Sequence, residues 1–415
     1  MNLLPETWRD VDSHELRLLL KERIGGSGQY DLEISGDDTI RIPLAREECK
    51  LLLTYKKGYI SEILAGPAFI SSEWQAIVEE VEKTLRNGAD VAARTIAFSS
   101  FRVLGVWASQ NSSVRILPPP ESAPKPQMEI AEHPFVLEYS YKSVVSESVT
   151  KYRANVAFQR ITLLLNALLI GRTSSQPSSG TSMWTSRLVN EVPHYEWSHQ
   201  GYFASLADYP PTSELLATQS ELASIPDVAY YGVIGLDGNG LRVPESLDDS
   251  LAKFFALDSV SAAKMTRALY WFDVAGRVYS LSMSASFAAL VSSIEALTER
   301  GNEQNVLCPN CGHVVTRETP GATKRFVDLV GRLAPGASDK RSRDRIYELR
   351  SRVLHGSALM QLDELKFVGW DPPEWKEQVH HHQLWRLTSQ ILRGWLSEAG
   401  ESRPPDPHGW AAKPR

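Results

Sequence analysis

Cysteine is scarce in this chain, with three residues, Cys49, Cys308 and Cys311, among 415. Three thiols cannot build a disulfide framework, so packing has to hold the fold. Long apolar runs are missing as well: the longest, around Ile161 to Ile170, is about half of what a membrane span needs. The opening residues carry no basic segment followed by an apolar stretch, so no secretory leader is expected. No Gly-x4-Gly-Lys-Ser/Thr sequence occurs, which excludes a P-loop nucleotide hydrolase. Neither sign of charge dominates, since 44 Lys and Arg stand against 50 Asp and Glu for a net charge of -6. That balance argues against a surface that binds polyanions everywhere. A reducing cytoplasm without membrane contact is the expected setting.

What is present is ordinary for a globular protein, with 42% hydrophobic and 23% charged residues, so disorder is not a reading for the bulk. The length exceeds what one hydrophobic core usually spans, and two domains are expected. The first, residues 1–244, reads as α+β. Tyr30-Asp-Leu-Glu-Ile-Ser and Thr39-Ile-Arg-Ile-Pro-Leu alternate around Gly36-Asp-Asp as a hairpin would. Trp74, Ile77, Val78, Val81 and Leu85 have helical spacing over 72–85, with Ser71 or Ser72 as N-cap. The proline-rich stretch from Leu117 is a loop, Phe135 to Tyr141 is strand-like, and a helix is predicted from about Val149 to Leu169. Thr173 to Ser182 reads as a flexible loop, and Pro193 to Pro244 lacks helical periodicity.

From about Glu245 to residue 400 the pattern becomes nearly continuous helix, near 246–256, 259–278, 280–300, 322–333, 339–355 and 373–398. Phe287, Leu290, Val291, Ile294 and Leu297 keep one stripe, and Leu384, Leu387, Ile391, Leu392 and Trp395 keep another, which predicts an all-α bundle. Residues 401–415 read as a tail. Asp237-Gly-Asn-Gly lacks the spacing of a calcium loop and reads as a turn. Trp370, Trp375 and Trp385 read as core or interface residues.

The sharpest chemical signal is Tyr347-Glu-Leu-Arg350-Ser-Arg-Val-Leu-His355-Gly356. Arginine neutralises a phosphate and histidine moves a proton near neutral pH, a combination suited to RNA phosphodiester cleavage. The surroundings are basic: Lys324 to Arg352 holds nine basic and four acidic residues, a local charge of +5. A solvated helix face accounts for such a run equally well. With Ile346 at zero and ~100° per residue, Leu349, Val353 and Leu354 centre a buried stripe near zero. Arg350 then falls at about 40°, inside the stripe, and needs a partner from another helix, a second subunit or a ligand. His355 falls at about 180°, roughly 140° from Arg350, unless Gly356 forms a left-handed cap that releases it from helical phase. Arg352 has Glu348 one turn before it and reads as an intrahelical ion pair or a phosphate contact. A surface or capping histidine, and an arginine whose head reaches solvent, are the plain alternatives for His355 and Arg350, and Glu295, at the edge of its stripe, reads slightly better as an ordinary surface carboxylate.

Ser293-Ile-Glu-Ala-Leu, Cys308-Pro-Asn-Cys-Gly and Tyr347 to Gly356 together resemble the HEPN superfamily, particularly the ApeA-like HEPN domains of bacterial anti-phage systems. The likeness covers roughly residues 245–400 and rests on the family's arginine, four to six residues, histidine signature; Ser351 stands where many members carry Asn, Asp or His. The resemblance implies an all-α HEPN-like bundle and a metal-independent endoribonuclease, usually dimeric, of an anti-phage or toxin-type system. It implies that His355 acts as general acid or base, Arg350 holds the scissile phosphate, and Glu295 is the acidic position that supports them. Arg352, Arg345 and Tyr347 are the accompanying RNA-binding candidates. RNA, a second copy of the chain and a phage-derived trigger or regulatory partner are the implied partners, with 1–244 sensing or restraining. The alternative is a non-catalytic module that binds nucleotide, RNA or a protein.

Cys308-Pro-Asn-Cys311-Gly-His313 has the thiolate spacing of half a zinc knuckle. Cys308, Cys311 and His313 are candidate ligands of a structural zinc, with His380, His381 and His382 as distant candidates; no catalytic metal is expected. Two chains sharing one tetrathiolate site, or two free thiols on a turn, are the other readings.

Overall fold

The computed structural model describes residues 2–401 apart from 10, 25–32, 35–38, 45–49, 57, 124–131, 176–181, 200–201, 203, 233–239, 300–301, 308–310, 312, 336–339 and 364–371. The first unit contains α1 (Ser13–Ile24), a meander of β1 (Glu33–Ile34), β2 (Thr39–Leu44), β3 (Leu51–Lys56) and β4 (Tyr59–Ala65), and α2 (Ser71–Arg86). The expected hairpin is present, with Glu33 opposite Arg41, while its Gly36-Asp-Asp turn lies outside the described residues. Leu16, Leu19, Leu20, Leu51, Leu53, Ile63 and Val81 form a core of their own, closed by Trp8 against Trp74. Ile70 rather than Ser71 or Ser72 caps α2, and no side chain bonds to that end.

A five-stranded antiparallel sheet follows, in the order β6-β7-β8-β5-β9. Its strands are β5 (Ala89–Ser99), β6 (Trp107–Ala108), β7 (Arg115–Leu117), β8 (His133–Ser143) and β9 (Thr173–Ser174). β5 and β8 pair over their full lengths, from Ala89 opposite Ser143 to Ser99 opposite His133. Between β8 and β9 runs α3 (Glu147–Leu168), begun by Ser146, whose hydroxyl accepts the Val149 N–H. Thr173 and Ser174, expected in a loop, are buried in the sheet edge. A separate ribbon of β10 (Ser182–Val189) and β11 (Val192–His199) turns through Asn190 and Glu191, both left-handed, which matches the twist of a two-residue hairpin. α4 (Thr212–Thr218), β12 (Ser224–Ile225), α5 (Asp227–Gly232) and β13 (Val243–Pro244) complete the first part. Asp237-Gly-Asn lies outside the described residues.

The helical part comprises α6 (Leu247–Phe255), α7 (Ser259–Val278), α8 (Met283–Glu295), α9 (Ala322–Leu333), α10 (Lys340–Leu354) and α11 (Pro372–Glu401), close to the expected segments. Asp258 and Ser282 cap α7 and α8 through backbone N–H groups. Both apolar stripes of the sequence are buried. The all-α expectation needs one correction: β14 (Asn302–Leu307) and β15 (Val314–Thr319) form a hairpin between α8 and α9. The expected boundary at 244/245 is not a break in the core either. One continuous cluster joins Phe135, Leu137, Phe158, Ile161 and Leu165 of the sheet and α3 to Leu251, Phe272, Phe287, Leu290, Phe326 and Leu392 of the bundle. At ~1.5–3 kcal/mol for each large apolar side chain taken out of water, that shared core couples the two parts strongly. Among the described residues no helix is long and apolar enough to cross a membrane.

Candidate functional site

α10 packs against α8 and α9, and it carries the arginine and histidine of the motif. Ile346 is buried and Leu349 and Val353 half-buried, as their phase requires, whereas Leu354 is exposed. Arg350 lies on this inward side. Its Nη2 donates to Glu295 Oε2 at 2.7 Å, and both side chains are 22% exposed. Glu295 is the last residue of α8, where a carboxylate meets the negative end of the helix dipole, so the guanidinium offsets an otherwise unfavourable placement. The pair supplies the partner from another helix that a half-buried arginine requires, and Glu295 is therefore not an ordinary surface carboxylate. The Arg350 guanidinium also lies over the Tyr347 ring, 5.5 Å from its centroid, and that ring packs at 5.3 Å on Phe326 of α9. Burial, and then the negative charge of Glu295, raise the Tyr347 phenol above its ordinary pKa. Arg350 Nε is buried without a hydrogen-bond partner.

His355 stands elsewhere. The N–H of His355 bonds to Ser351 O at 3.0 Å, continuing the helical ladder one residue past Leu354. Gly356 follows with φ +68°; its N–H bonds to Val353 O and that of Ser357 to Arg352 O, the double bond pattern of a left-handed helix end. The turn comes one residue too late to release His355 from helical phase. His355 is exposed, and helical geometry keeps it about 140° around the axis from Arg350. The expectation that Gly356 would bring the two together within one chain is not met.

Arg345 and Arg352 are exposed and, by the same phase count, lie on the His355 side of the helix. No ion pair joins Arg352 to Glu348 among the described residues, contrary to the intrahelical pairing expected of them. The six candidates thus fall into two groups on opposite faces of α10. Arg350, Glu295 and Tyr347 form an inner group between helices, and His355, Arg352 and Arg345 an outer one open to solvent. Leu354 at that end of α10, Leu359 and Leu362 just after it, and Leu281 just before α8 are all exposed. Asp363 ties the segment after α10 to the start of α8: it accepts the N–H groups of Met283 and Ser284 and the Ser282 hydroxyl, while Met360 N–H bonds to Ser284 Oγ. Burial opposes the Asp363 charge, but these donors outweigh it and hold the carboxyl below its usual pKa. Sequence reasoning did not find Asp363, because its partners lie about eighty residues away and leave no local pattern.

The register Leu307 opposite Val314 makes 308–313 the loop of the β14–β15 hairpin. Cys311 and His313 are exposed on it, and Cys308 lies outside the described residues. Among the described residues no three His, Cys, Asp or Glu side chains are grouped to hold a metal. A loop of this kind offers at most the three donors Cys308, Cys311 and His313, one fewer than a closed zinc site needs. His381 is not the fourth: it is buried in the bundle with Nε2 2.8 Å from Ser286 Oγ, and the hydroxyl proton is committed to Ala275 O. Of the tryptophans expected inside, Trp385 packs on Phe272 at 4.7 Å, Trp370 lies outside the described residues, and nothing is described of the Trp375 side chain.

In comparisons with protein-family models, curated proteins and solved structures, nothing matches the chain.

Proposed function

We propose that the chain is a HEPN-type endoribonuclease whose working site is completed when two copies meet at the outer end of α10. The observation that carries the reading is the Arg350–Glu295 pair, which joins the arginine of the motif to an acidic residue of the preceding helix at 2.7 Å. His355 is solvent-accessible with two exposed arginines on its side of the helix, as a proton-transfer group on a polyanion requires. In the reaction the RNA 2′-hydroxyl attacks the adjacent phosphorus and the bond to the 5′-oxygen breaks. A 2′,3′-cyclic phosphate and a 5′-hydroxyl result. His355 accepts the 2′ proton or delivers one to the departing oxygen, and Arg350 stabilises the charge that grows on the phosphoryl oxygens.

One helix holds Arg350 and His355 about 140° apart, so the reading requires a second chain. The exposure of Leu281, Leu354, Leu359 and Leu362 supports one, since apolar surface that pairs with its own copy forms a closed two-fold dimer. Anti-phage or toxin activity, with residues 1–244 sensing or restraining, belongs to the same proposal. The same 140° separation favours the second reading, a non-catalytic module that binds nucleotide, RNA or a partner chain. The deciding experiment compares RNA cleavage by the purified protein with that by Arg350→Ala and His355→Ala. Cleavage by the parent alone, with cyclic phosphate ends, supports the enzyme; equal cleavage by all three removes it.

A further inference from the structure

We infer that the outward face of α7 is a stacking track for single-stranded RNA, which leads the substrate toward the site on α10; this rests on the ribonuclease reading and extends it. α7 buries Met265, Ala268, Leu269, Phe272 and Ala275, and turns Arg267, Tyr270, Trp271 and Arg277 outward. Tyr270 is 53% and Trp271 39% exposed, and their rings meet edge to face at 6.0 Å. Two large rings side by side in water are unusual on a helix that has a core to join. Arg267 and Arg277 bracket them, about 15 Å apart along the axis at 1.5 Å per residue.

No exposed residue of α7 itself is acidic, and the exposed carboxylate that reaches the helix, Glu299, is paired with Lys264. Asp273 is the one acidic residue of α7, and it is buried, with Asn166 donating to one oxygen and Arg277 paired to the other. Arg277 still leaves half of its side chain in solvent. Arg267 has no ion-pair partner among the described residues. Exposed rings beside the unpaired Arg267 suit an occupant that is both aromatic and anionic. Single-stranded nucleic acid is that occupant, because its bases present stacking faces and its phosphates lie alongside. α8 packs on both α7 and α10, so the track and the motif helix flank one central element.

The test uses the full chain and a fluorescent single-stranded oligoribonucleotide, 2′-O-methylated throughout so that no hydroxyl can attack phosphorus, with binding read by anisotropy. Trp271→Ala and Tyr270→Ala should each weaken binding by ~10-fold, and Trp271→Phe should restore most of it. Arg267→Ala should lower the salt dependence of log Kd by about 0.7. In cleavage of an unmodified strand the α7 variants should raise KM and leave kcat unchanged. Unchanged anisotropy in variants with parental circular dichroism overturns the track, as does a parent that binds no RNA. A change in sedimentation alone also overturns it, by marking the face as a protein interface. If cleavage disappears only in Arg350→Ala and His355→Ala, the ribonuclease reading stands without the track. If the parent binds through α7 and never cleaves, the track stands and the ribonuclease reading falls.

Discussion

Glu138 in the five-stranded sheet and Glu295 at the end of α8 both hold arginine, and their surroundings differ in how completely each is satisfied. Glu138 is buried and accepts Arg94 Nε at 2.7 Å, the Thr212 hydroxyl at 2.6 Å and Arg115. Arg94 spends its remaining donors on the carbonyls of Tyr209 and Pro210 and on Thr212, and its guanidinium lies over the Tyr209 ring. No side-chain atom of Glu138, Arg94, Arg115 or Thr212 is buried without a partner, so this network clamps the 209–212 segment to the sheet. Around Glu295 the arginine is half-buried, its buried Nε lacks a partner, and an exposed histidine sits at the end of the same helix. A closed network rigidifies, whereas an open one can still take a ligand. The contrast is why the second pair, and not the more deeply buried first, is the one we propose as the site.

The largest expected effect would break the comparison from the functional side. His355→Ala should reduce RNA cleavage ~10²–10⁴-fold, the usual contribution of a general acid or base, and leave the thermal midpoint unchanged because the side chain is exposed. A midpoint that falls in step with activity would make His355 a structural residue. Glu138→Ala should do the reverse. Stranding Arg94 and Arg115 should cost ~3–5 kcal/mol, read as a lower urea midpoint.

Acid should separate the two regions further. Burial, and then the neighbouring charge of His382, hold His381 down to about 4, below the 6.5 of an ordinary histidine. The unfolded chain therefore binds a proton between pH 6.5 and 4 that the folded chain refuses. Stability present above pH 6.5 should be lost over that window, by about 3 kcal/mol, and His381→Phe should flatten the urea-midpoint profile there. Burial would raise Glu138, but Thr212, Arg94 and Arg115 outweigh it and hold its pKa below 4.5. Its contribution is thus present above pH 4.5 and lost below, so His381→Phe should leave the more acid part of the profile intact.

Smaller effects sharpen the picture of the site. Gly356→Ala should cost ~1–2 kcal/mol through its left-handed backbone alone, since an added Cβ meets nothing within 4 Å. Glu295→Gln should cost about 1 kcal/mol in melting experiments, because the pair is only partly shielded from water. A loss as large as that of Glu138→Ala would erase the distinction between the two glutamates.

Much of this was legible beforehand, and for identifiable reasons. The stripe Phe287, Leu290, Val291, Ile294 and Leu297 repeats at helical spacing, so the burial of α8 followed from period alone. The half-buried placement of Arg350 followed from its position beside Ile346. The β14–β15 hairpin was not legible, because its short strands carry polar residues such as Asn302, Gln304 and Thr316 instead of an apolar alternation. Nor was the exposure of Tyr270 and Trp271 on α7, since adjacent aromatic residues in a helix carry no spacing that says which side faces the core.

The sequence by itself determined the helix positions, the left-handed end at Gly356 and the phase that sends Arg350 inward and His355 outward. These depend on spacings of a few residues, which local geometry enforces. Only the tertiary structure decided that Glu295 answers Arg350, that Asp363 holds the start of α8, and that one core runs across residue 244. Those contacts join residues tens of positions apart, and packing selects them without leaving a periodic trace in the chain.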